Sequence, residues 1–277
     1  AVVRFPHADG CVVTVDMLME GVDFLLPEAS PERIGWKSLA VNVSDLAAMA
    51  ALPVACVVSV ALPRRGGFEL GRGLMQGISR CAERFQLALA GGDTNTWDGP
   101  LVISITCLGE PVPPGVVRRN GARPGDWIMT TGQFGGSLGG KHLDFLPRVD
   151  EALALHRRVA LHAMIDVSDG LAADLRHILE ESQVGAIVDA TAIPISAAAL
   201  GLEDGKSPLA HALGDGEDFE LIFTVSADEG AQLLADPPCT TPLTRIGEIT
   251  AAPDLLLRTS AGETIPLEIS GWKHGFQ

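Results

Sequence analysis

Apolar and polar positions along the first half of the chain predict strands and helices in turn. Residues 11–19 and 54–62 are rich in β-branched side chains and predict strands. Residues 31–50 and 68–86 carry apolar side chains at helical spacing and predict helices. This alternation is typical of an α/β domain.

Glycine- and proline-rich segments interrupt the pattern. A short strand at 87–90 is predicted to end in a turn at the glycine pair 91–92. Residues 111–125 (PVPPGVVRRNGARPG) have the composition of a seam between domains. We therefore predict an N-terminal domain at 1–124 and a C-terminal domain at 125–277.

The second half continues in the same style. Helices are predicted near 150–162, 169–182 and 227–235, and strands at 185–189 and 219–225. Both halves therefore predict α/β domains of similar size, and the fold class is a two-domain α/β protein.

The composition narrows the possible partners and the compartment. The formal net charge is −15 and no basic run occurs, which argues against nucleic acid and against an anionic membrane surface. No apolar run approaches the ~20 residues that span a bilayer. The five cysteines lack CxxC spacing, which favours a reducing cytosol over a disulfide framework. We therefore expect a cytoplasmic protein without nucleic-acid or membrane partners.

The stretch MIDVSDGLAADL at 164–175 places two carboxylates, Asp166 and Asp169, where an apolar strand becomes a helix. Ser168 or Asp169 can cap that helix, because their side-chain oxygens accept from its free N–H groups. A cap accounts for one acidic residue and leaves Asp166 unexplained. We expect Asp174, further along the helix, to be a surface acid.

Three more aspartates, Asp16, Asp45 and Asp93, interrupt apolar elements. Each alone is ordinary for a capped or solvated acid. If they converge with Asp166 and Asp169, their repulsion at low dielectric requires cations. Oxygen ligands suit magnesium or calcium rather than zinc or copper, whose nitrogen and sulfur ligands are not clustered here. Since magnesium commonly bridges carboxylates to phosphates, the set predicts a phosphorylated substrate or a nucleotide.

The familiar phosphate-binding signatures are absent from the sequence. Neither GxxxxGK[ST] nor the kinase-type HRD and DFG set occurs. The glycine-rich loop at 132–140 opens a predicted helix, so its N–H groups either cradle a phosphate or form a simple tight turn. A nucleotide enzyme with this sequence belongs to neither familiar class.

Six motifs in order give the chain a specific resemblance to a known family. They are Asp16–Val22 (DMLMEGV), Ile34–Met49 (IGWKSLAVNVSDLAAM), Gly91–Thr94 (GGDT), Gly121–Asp126 (GARPGD), Met164–Leu171 (MIDVSDGL) and Gly216–Leu221 (GEDFEL). Together they resemble the thiamine-monophosphate kinase family, within the aminoimidazole-ribotide-synthetase-like superfamily. The resemblance implies ATP-dependent phosphorylation of thiamine monophosphate to thiamine diphosphate by direct, magnesium-assisted in-line transfer.

The resemblance also implies an architecture and a set of site residues. The implied fold has a mixed N-terminal sheet with helices, a C-terminal α/β domain, and a homodimer formed through the N-terminal sheets. The implied magnesium ligands are Thr14, Asp16, Asp45, Asp93, Asp166 and Asp169. The implied nucleotide contacts are Gly92, Asp93, Arg119 and Ser168. The implied contacts to thiamine monophosphate are Asp23, Glu217 or Asp218, and Trp272. No covalent nucleophile is expected.

The chain departs from the family pattern near its start. The Gly-Asp-Asp-Ala segment that the family has just before the residues matching Ala1-Val2 is not in the sequence. Val15 stands where the family has a hydroxyl residue, and Asp23 stands where the family has a substrate-contacting histidine. Asp23 would repel a substrate phosphate and attract a thiazolium cation.

These departures keep two alternatives open. Asp23 is compatible with a paralogue on the same scaffold that acts on another small phosphorylated or carboxylated substrate. Val15 and the missing acidic segment are compatible with an inactive nucleotide-binding dimer.

Overall fold

The computed structural model describes residues 3, 10–26, 28–269 and 271. The chain folds into two compact units, one made of Ala1–Val116 and Leu143–Val149 and the other of Val117–His142 and Asp150–Gln277. The predicted boundary between residues 124 and 125 falls eight residues beyond the first of these divisions, and it stays a prediction.

The first unit is a four-stranded sheet with two long helices. Its elements are β1 (Val12–Met19), α1 (Pro31–Ala48), β2 (Ala51–Pro63), α2 (Gly67–Arg84), β3 (Ala88–Trp97) and β4 (Val102–Pro111). The strand order is β1-β4-β2-β3. Strands β2 and β3 are parallel and the other neighbours are antiparallel, so the sheet is mixed, as predicted.

Helix α1 begins at a capping serine that is followed by a proline in the first turn. The Ser30 side chain accepts a hydrogen bond from the Arg33 N–H, and Pro31 occupies the first helical turn. Helix α2 crosses α1 at very short range. A Cβ atom added to Gly77 would lie 1.9 Å from the Glu32 carbonyl oxygen, so the crossing requires glycine there.

The two faces of this sheet differ along β1. Val13, Val15 and Met17 are 59%, 62% and 61% exposed, whereas Leu18, on the other face, is 4% exposed. Both helices contact the face that carries Leu18, since α1 packs against β1 and α2 against β2. The apolar side chains on the other face of β1 are therefore left exposed in the single chain.

Strand β3 is longer than the sequence predicts. The predicted end at the glycine pair 91–92 is wrong, because β3 stays paired with β2 from Ala88 as far as Trp97. The register shifts by one residue where Cys56 faces Leu89 and Val57 faces Gly91. The glycines thus form an irregularity within the strand instead of a turn that ends it.

The elements from residue 127 onward build a seven-stranded sheet with helices. They are β5 (Trp127–Thr131), α3 (Lys141–Asp144), α4 (Val149–Arg158), β6 (Ala163–Asp166), α5 (Leu171–Ser182), β7 (Gly185–Asp189), α6 (Ala197–Leu200), α7 (Pro208–Gly214), β8 (Leu221–Val225), α8 (Ala227–Ala235), β9 (Leu243–Thr250), β10 (Leu255–Arg258) and β11 (Thr264–Pro266). The strand order is β11-β10-β7-β9-β5-β8-β6.

The core of the second unit lies between this sheet and α5. Leu171, Leu175 and Ile178 from the helix are buried in one cluster with Ile165 and Ile222 from the strands. Helix α8 covers the other face of the sheet, where its Gly230 meets the Trp127 ring. Strand β6 stands last in the strand order, so it is an edge strand. Its last residue, Asp166, leads into the loop before α5.

The structure holds no helix, within its described residues, that is long and apolar enough to cross a bilayer.

Candidate active site

The loop between β6 and α5 is held on one side by the backbone of residues 217–220. The Val167 N–H donates to the Glu220 carbonyl at 2.8 Å, and the Val167 carbonyl accepts from the Phe219 N–H at 2.8 Å. The Ser168 carbonyl accepts from the Glu217 N–H at 2.7 Å. Each backbone group named here has a partner, so the loop conformation is fixed by its neighbours.

Gly216 permits this close approach. Its φ of +73° lies in the left-handed region, which favours glycine. A Cβ atom at this position would lie 2.6 Å from the Ser168 carbonyl oxygen. The motif GEDFEL is thus tied to the motif MIDVSDGL by backbone geometry.

Asp174 holds the same loop from the other side. One of its carboxylate oxygens accepts hydrogen bonds from the backbone N–H groups of Ser168, Asp169 and Gly170, at 3.0, 2.9 and 3.1 Å. Asp174 is only 2% exposed. The expectation that Asp174 is a surface acid is therefore wrong. The expected cap from Ser168 or Asp169 is also wrong, because Gly170 precedes the helix and no side chain caps it.

Negative charge is concentrated at this loop. Asp166 is 4% exposed, and carboxylate oxygens of Asp169 and Asp174 lie within 4.8 Å of each other and of a His177 ring nitrogen. Burial, together with the charges of Asp166 and Asp169, raises the pKa of Asp174 to about 8 against the opposing effect of the backbone donors. Carboxylates this close favour a bound cation.

The acidic segment 215–220 engages the glycine-rich loop 132–140. Asp218 accepts hydrogen bonds from the Gly135 N–H at 3.0 Å and from the Ser137 hydroxyl. Asp215 accepts from the Gly136 N–H at 2.9 Å. These two N–H groups are bound by the chain's own carboxylates, so the tight-turn interpretation of the loop is favoured over a phosphate cradle.

The predicted contacts to thiamine monophosphate occupy different environments. Asp218 is 1% exposed, and burial raises its pKa to about 6 despite the donors Ser137 and Gly135. Glu217 is half-buried, with a positive φ of 56° at the bend next to Asp218. Glu217 is thus the more accessible of the two predicted residues. Trp272 lies outside the described residues.

Two predicted nucleotide contacts lie in the second unit. Ser168 is half-buried within the loop, beside Asp169. The Arg119 side chain is exposed, and its carbonyl oxygen accepts from the Ser182 hydroxyl at 3.2 Å. The arginine is therefore tied by its backbone to the C-terminal turn of α5, while its guanidinium faces solvent.

In the first unit, the structure brings Thr14 and Asp45 together. The Thr14 hydroxyl donates to the Asp45 carboxylate, which joins β1 to α1. Asp16 follows two residues later on the same face of β1, because side chains alternate along a strand. Val15 points to the opposite, exposed face of the strand. A hydroxyl at position 15 would therefore not belong to this group of oxygen ligands.

Asp93 is separated from the group formed by Thr14, Asp16 and Asp45. It lies exposed on β3, at the opposite edge of the sheet from β1. Three inter-strand spacings, about 14 Å, separate the two edges. Gly92 precedes it on the same edge strand.

Asp23 stabilises the turn after β1. One of its carboxylate oxygens accepts from the Met19 N–H at 2.7 Å. Its carbonyl oxygen accepts from the Nζ atom of Lys37, which is 1% exposed. The aspartate that replaces the family histidine thus has a local structural role.

An apolar pocket of about 310 Å³ lies between α2 and the sheet, beside the motif that carries Gly92 and Asp93. Its lining includes Thr94, Leu62 and Met75. A pocket of this size and character suits a flat aromatic group.

Comparison with known proteins decides the family. Residues 1–110 match the family described as AIR synthase related protein, N-terminal domain, and residues 123–258 match the corresponding C-terminal domain. A thiamine-monophosphate kinase of Rhodopirellula baltica is 42% identical over 266 residues, which cover 95% of this chain and 83% of that relative. The chain belongs to the thiamine-monophosphate kinase family of AIR synthase related proteins.

Solved structures agree with this membership. A thiamine-monophosphate kinase structure from Stenotrophomonas maltophilia has a TM-score of 0.81 and 36% identity, and covers 93% of this chain and 87% of that one. A structure described as AaThiL complexed with AMPPCP and TMP has a TM-score of 0.84 and 29% identity, with 96% and 87% coverage. The predicted family and the predicted two-domain α/β fold are confirmed.

Three bonded groups escaped the sequence analysis: Asp174 and Lys37, which are buried, and Asp215, which is half-buried and accepts from the Gly136 N–H. Their signals were weak, because an acid in a helix or a loop and a lysine in a helix are usually solvated. Asp174 had one usable signal, namely an acid in the first turn of a helix that follows a glycine with no capping side chain. No comparable signal distinguishes the other two.

Proposed function

We propose that the protein phosphorylates thiamine monophosphate with ATP and so forms thiamine diphosphate. The observation that carries the proposal is the fixed loop at 166–170, where the two predicted ligands Asp166 and Asp169 adjoin a third, buried carboxylate, Asp174. Relatives named thiamine-monophosphate kinase, and a neighbour described with an ATP analogue and TMP, support this activity.

The donor groups of each unit fit magnesium. In the first unit the hydroxyl of Thr14 and the carboxylates of Asp16 and Asp45 would serve, and in the second unit the carboxylates of Asp166 and Asp169. All are hard oxygen ligands, the type that magnesium prefers. Bound magnesium would offset the charge of the phosphates during transfer. Asp93 would hold a further ion or the nucleotide phosphates from its own edge of the sheet.

The nucleotide would use the edge of the first sheet. The apolar pocket beside Thr94 suits the adenine ring, and the phosphates would then lie near Gly92 and Asp93. Ser168 and Arg119 are the proposed contacts from the second unit. A guanidinium suits a phosphate because it donates two parallel hydrogen bonds.

Recognition of thiamine monophosphate is assigned to Asp23, Glu217, Asp218 and Trp272. Glu217 would meet the cationic ring system, since its side chain is half-buried at the bend. Asp218 would act mainly by fixing the bend, because its carboxylate is bonded to Gly135 and Ser137. Asp23 contacts its own turn, so a substrate contact there requires its other oxygen.

The proposed reaction is a direct transfer between the two substrates, in which no side chain forms a covalent bond with the phosphoryl group. A phosphate oxygen of thiamine monophosphate attacks the γ-phosphorus of ATP, and the bond from that phosphorus to the ADP oxygen breaks as ADP leaves. Asp166 and Asp169 hold and orient the reacting groups, and the fixed loop keeps them in place. No phosphorylated enzyme intermediate is needed.

The exposed apolar face of β1 is the proposed dimer interface. Val13, Val15, Met17 and Met19 expose a continuous apolar stripe along β1. Apolar patches of this kind mark interaction sites, and a second copy of the same sheet presents a matching surface. The protein is proposed to act in the cytoplasm, consistent with the free thiols of Cys56, Cys81 and Cys107.

One assay tests the activity. The protein is incubated with ATP, magnesium and thiamine monophosphate, and thiamine diphosphate and ADP are measured. Equal amounts of both products are expected. ATP binding without formation of thiamine diphosphate would overturn the proposal and favour the inactive dimer. Transfer to a different phosphorylated or carboxylated acceptor would favour the paralogue that Asp23 suggests.

A further inference from the structure

Asp174 occupies an anion-binding concavity that the chain forms for itself. Successive backbone N–H groups that converge on one point bind anions, and the donors of Ser168, Asp169 and Gly170 converge on a single Asp174 oxygen at 2.9–3.1 Å. Asp174 belongs to the first turn of α5, so its carboxylate reaches back over the start of its own helix.

The contact couples a rigid element to the loop that carries the candidate ligands. Helix α5 is anchored in the core through Leu171, Leu175 and Ile178, each at most 1% exposed. The hydrogen bonds of the Asp174 side chain hold the backbone at residues 168–170 in a fixed position relative to this helix. Backbone bonds to 217–220 hold the carbonyl groups of the same loop, so this stretch is fixed from both sides.

We infer that Asp174 is a positioning residue for phosphoryl transfer: it fixes the backbone from which Ser168 and Asp169 meet the nucleotide and the metal. The inference rests on the proposed function for its reaction. It does not require Asp174 to touch substrate or metal, because the residue is buried and one of its carboxylate oxygens, Oδ2, already accepts from three N–H groups.

The geometry distinguishes position from charge. Asn at this site keeps an oxygen that accepts from the three N–H groups but removes the negative charge. Ala removes both the acceptor and the charge, and leaves three buried donors with no acceptor. If Asp174 acts by position, Asp174→Asn should resemble the wild type and Asp174→Ala should not.

The test compares these two variants with Glu180→Ala, a control on the same helix whose side chain is 54% exposed. Asp174→Ala is expected to lower kcat about 100-fold, the effect of a misplaced reacting group, and to weaken Mn²⁺ binding, measured by electron paramagnetic resonance, about 10-fold. Asp174→Asn is expected to stay within about 10-fold of wild type in both. The Glu180→Ala variant should match wild type.

Hydrogen exchange of the peptide covering 167–171 supplies a readout that is independent of turnover. These amides should be protected in wild type and in Asp174→Asn, and should exchange faster in Asp174→Ala. Wild-type turnover, Mn²⁺ binding and protection in a folded Asp174→Ala protein would overturn the inference. Equal losses in Asp174→Asn and Asp174→Ala, with the loop protected in the Asn variant, would also overturn it, since charge would then be decisive.

The two failures are distinguishable. If wild type forms no thiamine diphosphate, the proposed function fails, and Mn²⁺ binding and amide exchange still test the positioning role. If Asp174→Ala does not fold, Asp174→Asn decides: a folded Asn variant with protected amides and near wild-type Mn²⁺ binding supports the inference, and loss of either overturns it.

Discussion

The hydroxyl of Thr14 donates a hydrogen bond to the carboxylate of Asp45, and this contact joins the first strand of the protein to its first helix. The two residues are 31 positions apart in the sequence. Their contact holds one oxygen ligand of the proposed magnesium site against another before any ion binds. Such preorganisation lowers the cost of assembling the site.

Substituting Thr14 tests this arrangement. Thr14→Val keeps the shape of the side chain but removes the hydroxyl, so the Asp45 carboxylate loses the hydrogen bond from Thr14. We expect the magnesium concentration for half-maximal turnover to rise about 10-fold or more, the usual effect of losing a partner of a metal ligand. Magnesium titrations of the initial rate measure it.

Val15→Thr is the matched control. It restores the family hydroxyl one residue later, yet Val15 is 62% exposed on the opposite face of β1. The magnesium dependence should therefore stay within about 2-fold of wild type, well below the effect of losing a partner of a metal ligand. Equal shifts in the two variants would show that the hydroxyl of Thr14 has no special role.

Substituting the loop aspartates tests the metal assignment. Asp166→Asn or Asp169→Asn replaces an anionic ligand by a neutral one, and magnesium-dependent turnover should fall at least about 100-fold. Circular dichroism should show an intact fold. Asp236→Asn, at an exposed ion pair with Arg158, is the control and should retain wild-type turnover. Unchanged activity in both loop variants would refute the assignment.

Local patterns predicted most elements because their causes are local. Strand β7 lies at Gly185–Asp189 and helix α8 at Ala227–Ala235, which are the ranges predicted from the sequence. The extension of β3 was missed because β2, a distant segment, supplies its pairing. The burial of Asp174 was also missed because it depends on hydrogen bonds that the hydrophobic pattern of the helix does not reveal. The backbone N–H groups of the preceding loop donate these bonds to its carboxylate. Motif resemblance found the candidate ligands, and their neighbours had to be read from the structure.

The exposed apolar stripe on β1 predicts a dimer that a single charged side chain in the stripe should dissociate. Val15→Lys places an ammonium in the centre of the apolar stripe on β1. An unpaired charge in such an interface costs about 3 kcal/mol or more, which corresponds to a dissociation constant weakened at least about 100-fold. Light scattering with size-exclusion chromatography measures the mass.

The control for this variant is Leu200→Lys, at a residue of the second unit that is 62% exposed. Its mass should equal that of wild type. A monomeric wild type, or a Val15→Lys protein that remains dimeric at low micromolar concentration, would rule out this face as the interface.

The crossing of α1 and α2 predicts opposite effects of two similar substitutions in α2. Gly77→Ala places a methyl group 1.9 Å from the Glu32 carbonyl oxygen, within fixed backbone. It should reduce the free energy of unfolding by about 1–3 kcal/mol, the usual cost of overpacking. Gly71→Ala meets only the Leu62 side chain, at 3.0 Å. Here the helix propensity of alanine should offset the contact, with a change between about zero and 1 kcal/mol of stabilisation. Urea denaturation measures both, and equal destabilisation would contradict the crossing geometry.

His211 predicts a loss of stability at alkaline pH. Its Nδ1 atom lies 2.9 Å from an Asp215 oxygen and its Nε2 atom 3.1 Å from an Asp204 oxygen, so only the protonated ring donates to both. The hydrogen bond to Asp215 is the main cause that raises the pKa of His211, against the opposing effect of burial. Because the folded pKa lies above the unfolded value, the stabilisation is complete below about pH 6.5 and is lost as the pH rises through the folded pKa.

Thermal unfolding of wild type and His211→Gln measures this loss. The difference in Tm between the two proteins should be largest near pH 6 and should shrink as the pH rises towards 9, because the glutamine does not titrate. A Tm difference between wild type and His211→Gln that is the same at pH 6 and pH 9 would contradict the charged pairing, since a neutral ring would then make the same contribution at both values.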